Sequence, residues 1–293
     1  MNVALYSRVF KPEDLPVWHT LTAALDSHHI DYCLFEDLAS TLADHDVPVN
    51  GHPIFGDHAS LLLQAPDAFI CLGGDGTFLN ALTLVQDSNI PLIGINLGRL
   101  GFLAGIEERQ IGDAVRDFVD GRYDLEDRAL LQLESSDPLF GDCPYALNDF
   151  TILKRDTSSM ITIDAYMNGD FMNTYWADGL IVATPTGSTG YSLSSGGPIV
   201  FPTSGNFVVS PVAPHNLGVR PIVIPDSAVL SFEVRGRTDS FLCTLDSRFA
   251  TITPEHQIAI RKASFSLRLI QFHGYSFLST MREKLAWGRD LRN

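Results

Sequence analysis

Apolar positions in the first part of the chain form short blocks separated by stretches of helical period. Val3-Ala4-Leu5-Tyr6 is a compact apolar run, and Val17, Leu21, Ala24, Leu25 and His28 then share one face at a spacing near 3.6. A strand followed by an amphipathic helix is predicted. Residues 32–35, 68–72 and 91–95 repeat the strand signal, with a helix over 77–85. Strand and helix in alternation predict a parallel α/β sheet.

The pattern changes near 124–128. Beyond it lie strand-like runs at 161–167, 170–176, 208–210, 222–224, 229–234, 241–245, 258–261 and 267–272. Asn168-Gly169 separates the first two, the dipeptide that tight hairpins favour. Phe277, Leu278, Met281 and Leu285 form a last amphipathic stretch. The predicted organisation is an α/β domain at 1–125, an all-β domain at 126–275 and a C-terminal helix at 276–293 that returns to the first domain. A length of 293 residues suits two domains.

Composition narrows the chemistry. With 45% hydrophobic and 19% charged residues the chain is an ordered globular protein. A formal charge of −15 disfavours nucleic acid and anionic lipid, so small-molecule chemistry is expected. Cys33, Cys71, Cys143 and Cys243 lie far apart and read as reduced core thiols. The N-terminus lacks a basic start and a cleavage site, so a cytoplasmic protein is expected. No charged residue occurs between Asp178 and Arg220, yet the Gly, Pro, Ser and Thr content of that span forbids a membrane helix. Buried polar loops of this kind usually serve a ligand.

Two segments carry chemistry. The predicted strand at 68–72 runs into Gly73-Gly74-Asp75-Gly76-Thr77 and then into a helix. The glycines permit a tight turn and close approach, and the helix start offers free N–H groups and a positive dipole end. This is an anion site without the lysine of a P-loop, and Asp75 occupies the turn instead. A carboxylate beside phosphate requires a divalent cation or an incoming hydroxyl, which suggests phosphoryl transfer. The bland alternative is a turn in which Asp75 caps the helix. The second segment runs from Asp178 through Thr184, Thr186, Ser188, Thr189, Gly190 and Tyr191 to Ser194. It offers many uncharged donors and acceptors, suited to ribose, amide and phosphate groups, although a lone Ser/Thr-rich loop is often only a turn.

Gly73-Gly-Asp-Gly-Thr77, Asn96-Leu-Gly-Arg-Leu-Gly-Phe-Leu103, Leu147-Asn148-Asp149, Asp178 through Tyr191, and Arg220-Pro221 after Pro214-His-Asn-Leu217 occur in this order. In them the chain resembles the NAD kinase family over most of its length. Lipid kinases of the diacylglycerol type share the first motif, whereas the segment ending at Tyr191 is far more specific. The resemblance implies transfer of the γ-phosphoryl of ATP to the 2′-hydroxyl of the adenosine ribose of NAD, with Mg²⁺ or Mn²⁺ arriving with ATP and no built-in metal site. It implies Asp75 as general base or hydroxyl-orienting group, with Gly73, Gly74, Gly76 and Thr77 on phosphate. Phe102 would line the adenine pocket. Asn148 and Asp149 would contact the nucleoside portions of NAD, Asp178, Thr186, Thr189, Gly190, Tyr191 and Ser194 would complete the dinucleotide site, and Asp246 would add a contact. A homodimer or homotetramer is implied. Asp149 stands where many members have Glu, and Gly190 where Ala is frequent. The rival readings are a diacylglycerol or sphingoid kinase and a non-catalytic dinucleotide sensor.

Other residues have plain readings. The nine histidines lack metal-ligand spacing. Trp18, Trp176 and Trp287 are expected in packing roles, Arg99 on phosphate or in a surface ion pair, and Asp178 is alternatively a turn residue.

Overall fold

A computed structural model describes residues 1–98, 101–155, 159–274 and 276–286; Arg99 and Trp287 lie outside these. In chain order the elements are β1 (Asn2–Tyr6), α1 (Leu15–Ser27), β2 (Asp31–Phe35), α2 (Glu36–Asp44), β3 (Ile54–Phe55), α3 (His58–Gln64), β4 (Ala68–Leu72), α4 (Asp75–Val85), β5 (Leu92–Ile95) and α5 (Ile111–Val119). There follow β6 (Tyr123–Ser135), β7 (Tyr145–Ala146), β8 (Asp149–Lys154), β9 (Ile161–Met167), β10 (Asp170–Ala177), β11 (Gly179–Ala183) and α6 (Tyr191–Ser194). The chain ends with β12 (Asn206–Val212), β13 (Ile222–Pro225), β14 (Leu230–Arg235), β15 (Phe241–Leu245), β16 (Arg248–Ile252), β17 (Ile258–Phe272) and α7 (Phe277–Lys284).

Two units result: Met1–Glu126 with the segment from Leu267 onward, and Asp127–Ser266. In the first, parallel strands run in the order β3-β2-β1-β4-β5, and the end of β17 pairs parallel with β5 at Leu269↔Leu92. That pairing draws 267–272 into the first unit, where the sequence pattern alone groups it with the β domain. The strands are buried on both faces, as a helix-covered parallel sheet requires; all of β4 and β5 is buried. Val3, Leu5, Leu21, Leu25, Ile70, Ile93 and Phe118 belong to one core. Trp18 packs edge-on against Phe10 and Tyr32. The strand order reverses between β1 and β4, and in such sheets ligands bind beyond the carboxyl ends at the reversal. The glycine turn leaves β4 at that position.

The second unit is antiparallel. One sheet has the order β13-β12-β11-β8-β15-β16, while β10, β9, β14 and the start of β17 pair in sequence in the other. Phe150, Ile163, Leu180, Val182, Phe207, Phe241 and Leu245 fill the core, with Phe150 and Phe232 stacked at 5.8 Å. Asn168 (φ 54°) and Gly169 (φ 87°) close the hairpin between β9 and β10, both in the left-handed region that a two-residue turn demands. All four cysteines are free and buried.

One glycine of the fold bears directly on the site. A Cβ at Gly94 in β5 would lie 2.6 Å from the Leu103 carbonyl oxygen and 2.7 Å from the Ala104 Cα. The strand and the 101–106 segment therefore touch backbone to backbone. Gly94→Ala is expected to destabilise the protein by about 1–3 kcal/mol, as overpacking does; an unchanged urea midpoint would contradict this contact.

Candidate active site

The glycine turn is held from both ends. Gly73 (φ 155°) donates to the Ile95 carbonyl at 2.9 Å, and a Cβ there would meet Thr77 Oγ1 at 2.3 Å. Gly74 caps α4 without a side chain and accepts from the N–H groups of Thr77 (3.0 Å) and Phe78 (3.2 Å). A Cβ at Gly74 or Gly76 would point into open space, so both backbones can be approached closely. The first turn of α4 presents the positive end of the helix dipole to an anion.

Asp75 opens α4, but its carboxylate reaches away from its own helix. Oδ1 accepts from Leu103 N at 2.9 Å and Ala104 N at 3.4 Å, while Oδ2 accepts from Phe102 N at 3.0 Å. Lys284 of α7 adds a fourth donor, its Nζ 2.9 Å from Oδ2. Burial raises the pKa of the carboxyl, but the Lys284 ammonium and the N–H groups of Leu103 and Phe102 outweigh it and hold Asp75 below its ordinary range. Asp75 is an ionised acceptor near neutral pH. Gly101 leaves the room for this, because a Cβ there would lie 2.1 Å from Asp75 Oδ1.

Phe102 touches the same helix. Its ring centre is 5.9 Å from that of Phe277 and 4.8 Å from the Lys284 ammonium. Residues 277 and 284 are two helical turns apart and share a face. The apolar stripe read from the sequence differs: Leu278 is 40% exposed, while Thr280 is buried. Phe277, Met281 and Leu285 of the stripe are partly buried, and Lys284 lies at the margin of that face with its side chain 33% exposed.

In the second unit the uncharged loop separates into two kinds of hydroxyl. Thr184, buried, donates to the Leu147 carbonyl (2.5 Å) and accepts from Gly187 N (3.1 Å). Ser188, buried, donates to the Pro185 carbonyl (2.7 Å) and accepts from Val200 N (2.9 Å). Ser192 bonds Ser210 at 3.0 Å. These hydroxyls build the loop. Thr186 is also buried, and its Oγ1 accepts from the Arg128 guanidinium at 3.3 Å. Thr189 and Gly190 are partly exposed, Tyr191 and Ser194 exposed, so these are the groups a ligand can reach.

Asn148 and Asp149 enter β8 beside the loop. A Cβ at Gly190 would lie 3.3 Å from the Gly187 carbonyl oxygen, a tight approach, and 3.6 Å from Asn148 Nδ2 and 3.8 Å from Asp149 Oδ2, so this glycine packs against the Asn148-Asp149 pair. Asp246 fixes this corner. It sits in the left-handed region (φ 53°) between β15 and β16 and accepts from the N–H groups of Leu147 (2.9 Å), Asn148 (2.7 Å) and Asp149 (3.1 Å). Its carboxylate thus positions the backbone of the Asn148-Asp149 pair. Asp178 stands apart. It precedes β11 while the loop follows it, roughly 20 Å along the strand at 3.4 Å per residue. Its carboxylate pairs with Lys154 at 2.6 Å.

Sequence reasoning missed Lys284, Arg128 and the backbone donors of 102–104. Lys284 lies 209 positions from Asp75, and no local spacing signals such a pair. Arg128 falls in a charged stretch that reads as surface, yet it is 4% exposed.

Burial, followed by the charge of Asp246, pushes the Asp149 carboxyl up to about 7. Asp246 is also raised by burial, against the pull of its N–H donors. With a folded pKa above the unfolded value of roughly 4, native Asp149 keeps a proton that the unfolded chain has released. Stability should therefore fall as pH rises from about 4 to about 7. Asp149→Asn is expected to flatten that decline and to gain about 1–4 kcal/mol over wild type above pH 7. Melting curves across this range check it, and identical pH profiles would contradict it.

Comparison with known proteins meets this geometry in both units. Residues 60–123 match the ATP-NAD kinase N-terminal domain, and residues 147–272 match the ATP-NAD kinase C-terminal domain. The NAD kinase of Cytophaga hutchinsonii is 42% identical over the full length of both chains, and that of Flavobacterium psychrophilum 41%, also over full length. Among solved structures, yeast NADH kinase complexed with NADH superposes with a TM-score of 0.87 at 21% identity, covering all of this chain and 89% of that one. An NAD kinase from Archaeoglobus fulgidus in complex with ATP gives 0.74 at 22% identity, covering 98% and 99% of the two chains. These two structures bear on the fold, and the full-length relatives bear on descent. With both domain models matched in order and relatives about 40% identical from end to end, the chain belongs to the ATP-NAD kinase family.

Proposed function

We propose that this chain transfers the γ-phosphoryl group of ATP to the 2′-hydroxyl of the adenosine ribose of NAD, giving NADP and ADP, with Asp75 receiving the hydroxyl proton. The observation that carries the assignment of Asp75 is its place at the head of α4, where an ionised carboxylate and the N–H groups that suit phosphate meet in one turn. The hydroxyl oxygen attacks the γ-phosphorus and the bond to the ADP oxygen breaks. The proton passes to the carboxylate. Asp75 is held below its ordinary pKa and is a weak base, so it orients the hydroxyl and takes the proton late. A loose transition state tolerates this, because phosphoryl transfer depends on positioning and charge neutralisation. The divalent cation, Mg²⁺ or Mn²⁺, comes with ATP and neutralises the phosphates. Gly73, Gly74, Gly76 and Thr77 build the turn that receives the phosphates, with the N–H groups of Gly73 and Thr77 spent on the carbonyls of Ile95 and Gly74 that hold its shape.

Phe102 offers an aromatic face to adenine. Asn148, Asp149, Thr189, Gly190, Tyr191 and Ser194 offer the polar contacts for the rest of the dinucleotide, with Thr186 and Asp246 shaping them from behind. Among the described residues no helix is long and apolar enough to cross a membrane. We read the protein as a cytoplasmic homodimer or homotetramer. Asp178, at the far end of β11 from the hydroxyl loop, is suited to a dinucleotide held by a neighbouring subunit.

Asp75→Asn should lower kcat by about 10²–10⁴-fold while NAD still binds. Steady-state kinetics with NAD binding by calorimetry test it, and near-normal turnover would remove Asp75 from the mechanism. Dilution or interface substitutions that yield a monomer should abolish activity; a fully active monomer would contradict the shared-subunit role of Asp178.

A further inference from the structure

The glycine turn has no lysine of its own, although a phosphoryl group in transfer carries charge that N–H groups alone neutralise poorly. Among the described residues the cation that reaches the turn is Lys284, from the opposite end of the chain. Its ammonium contacts both the carboxylate that we assign to the acceptor hydroxyl and the ring that we assign to adenine.

The four donors on Asp75 are not equivalent. Those from Phe102, Leu103 and Ala104 are backbone groups in a segment pressed against Gly94 of β5, and they cannot leave without moving the strand. Lys284 hangs on a flexible stem, with its side chain 33% exposed. A carboxylate has about four acceptor positions, and four donors already occupy them. A hydroxyl that donates to Asp75 must take the place of one, and Lys284 is the one free to move. Both side chains of the pair are partly open to solvent, 33% for Lys284 and 27% for Asp75, so the ammonium can swing to a neighbouring anion without crossing the core. A phosphate arriving at the adjacent N–H groups carries more charge than a single carboxylate and makes stronger charge-assisted hydrogen bonds.

We infer that Lys284 is the protein's own phosphate-binding cation, acting beside the divalent ion that ATP brings: it exchanges Asp75 for the phosphoryl group under transfer, and so frees the carboxylate for the acceptor hydroxyl. The lysine keeps its proton throughout. It donates N–H bonds to non-bridging phosphate oxygens while the hydroxyl proton goes to Asp75 and the bonding pair leaves with ADP. This rests on the kinase reading above. A lysine that merely clamps Asp75 in place would make no contact with phosphate, and the two roles separate in experiment.

Kinetics of Lys284→Met and Lys284→Arg should show kcat lower by about 10–100-fold in the methionine variant, with no rise in the KM for NAD, and most turnover kept by arginine. Calorimetric titration with inorganic tripolyphosphate, which needs no catalysis, should show affinity falling by about tenfold on Lys284→Met. In an Asp75→Asn background, where the lysine is no longer held by a carboxylate, the same substitution should cost more than in wild type. Wild-type turnover in Lys284→Met, or tripolyphosphate affinity indifferent to Lys284 in both backgrounds, overturns the inference. Should Lys284→Met melt well below wild type, the arginine variant and its tripolyphosphate titration decide. If the wild-type protein makes no NADP from NAD, ATP and Mg²⁺, the kinase reading fails, and the titration still judges Lys284.

Discussion

Everything at the proposed chemical centre depends on keeping one carboxylate charged at the head of a helix. Partial burial raises the pKa of a carboxylate. Asp75 keeps its charge because the chain turns back at Phe102–Ala104 and offers backbone N–H groups, with Lys284 beside them. That return needs close backbone contact, which Gly94 and Gly101 permit by having no side chain. The parallel sheet then fixes both parts, since β4 leads into the turn and β5 lies against the returning segment. A local charge is thus stabilised by long-range topology.

The second unit solves a different problem with a different device. Here a polar surface must stand at the edge of an apolar sheet, and buried hydroxyls satisfy the backbone of a loop that has no charge to spend. Thr184 and Ser188 act as internal supports, so Thr189, Gly190 and Tyr191 are presented in a fixed form. Asp246 serves the same end for Asn148 and Asp149, and the resulting pair of acids in low-dielectric surroundings leaves Asp149 protonated to near neutrality. Preorganisation of this kind reduces the ordering that a bound dinucleotide must supply.

The sequence carried the α/β first part, the β-rich second part and the residues of the turn, because local signals report them: apolar runs, a period of 3.6, an Asn-Gly hairpin and glycines before a helix. It did not carry the roles of Lys284 and Arg128. Both are charged residues with no local pattern, and only the packing of distant segments places them at Asp75 and Thr186. The same holds within the loop, where Thr184 and Thr189 are identical in type and differ only in burial. Asp178 belongs to the motif in sequence, yet a strand of five residues separates it from the hydroxyls that follow. Motif membership therefore does not by itself place side chains on one ligand.

The most direct test of the account is the position of the new phosphate. Phosphorus NMR of the product formed from NAD, ATP and Mg²⁺ should show a monoester on the 2′-oxygen of the adenosine ribose, matched by ADP and formed far more slowly when Asp75 is replaced by Asn. A phosphate on another hydroxyl, or ADP formed without any ester, would contradict it.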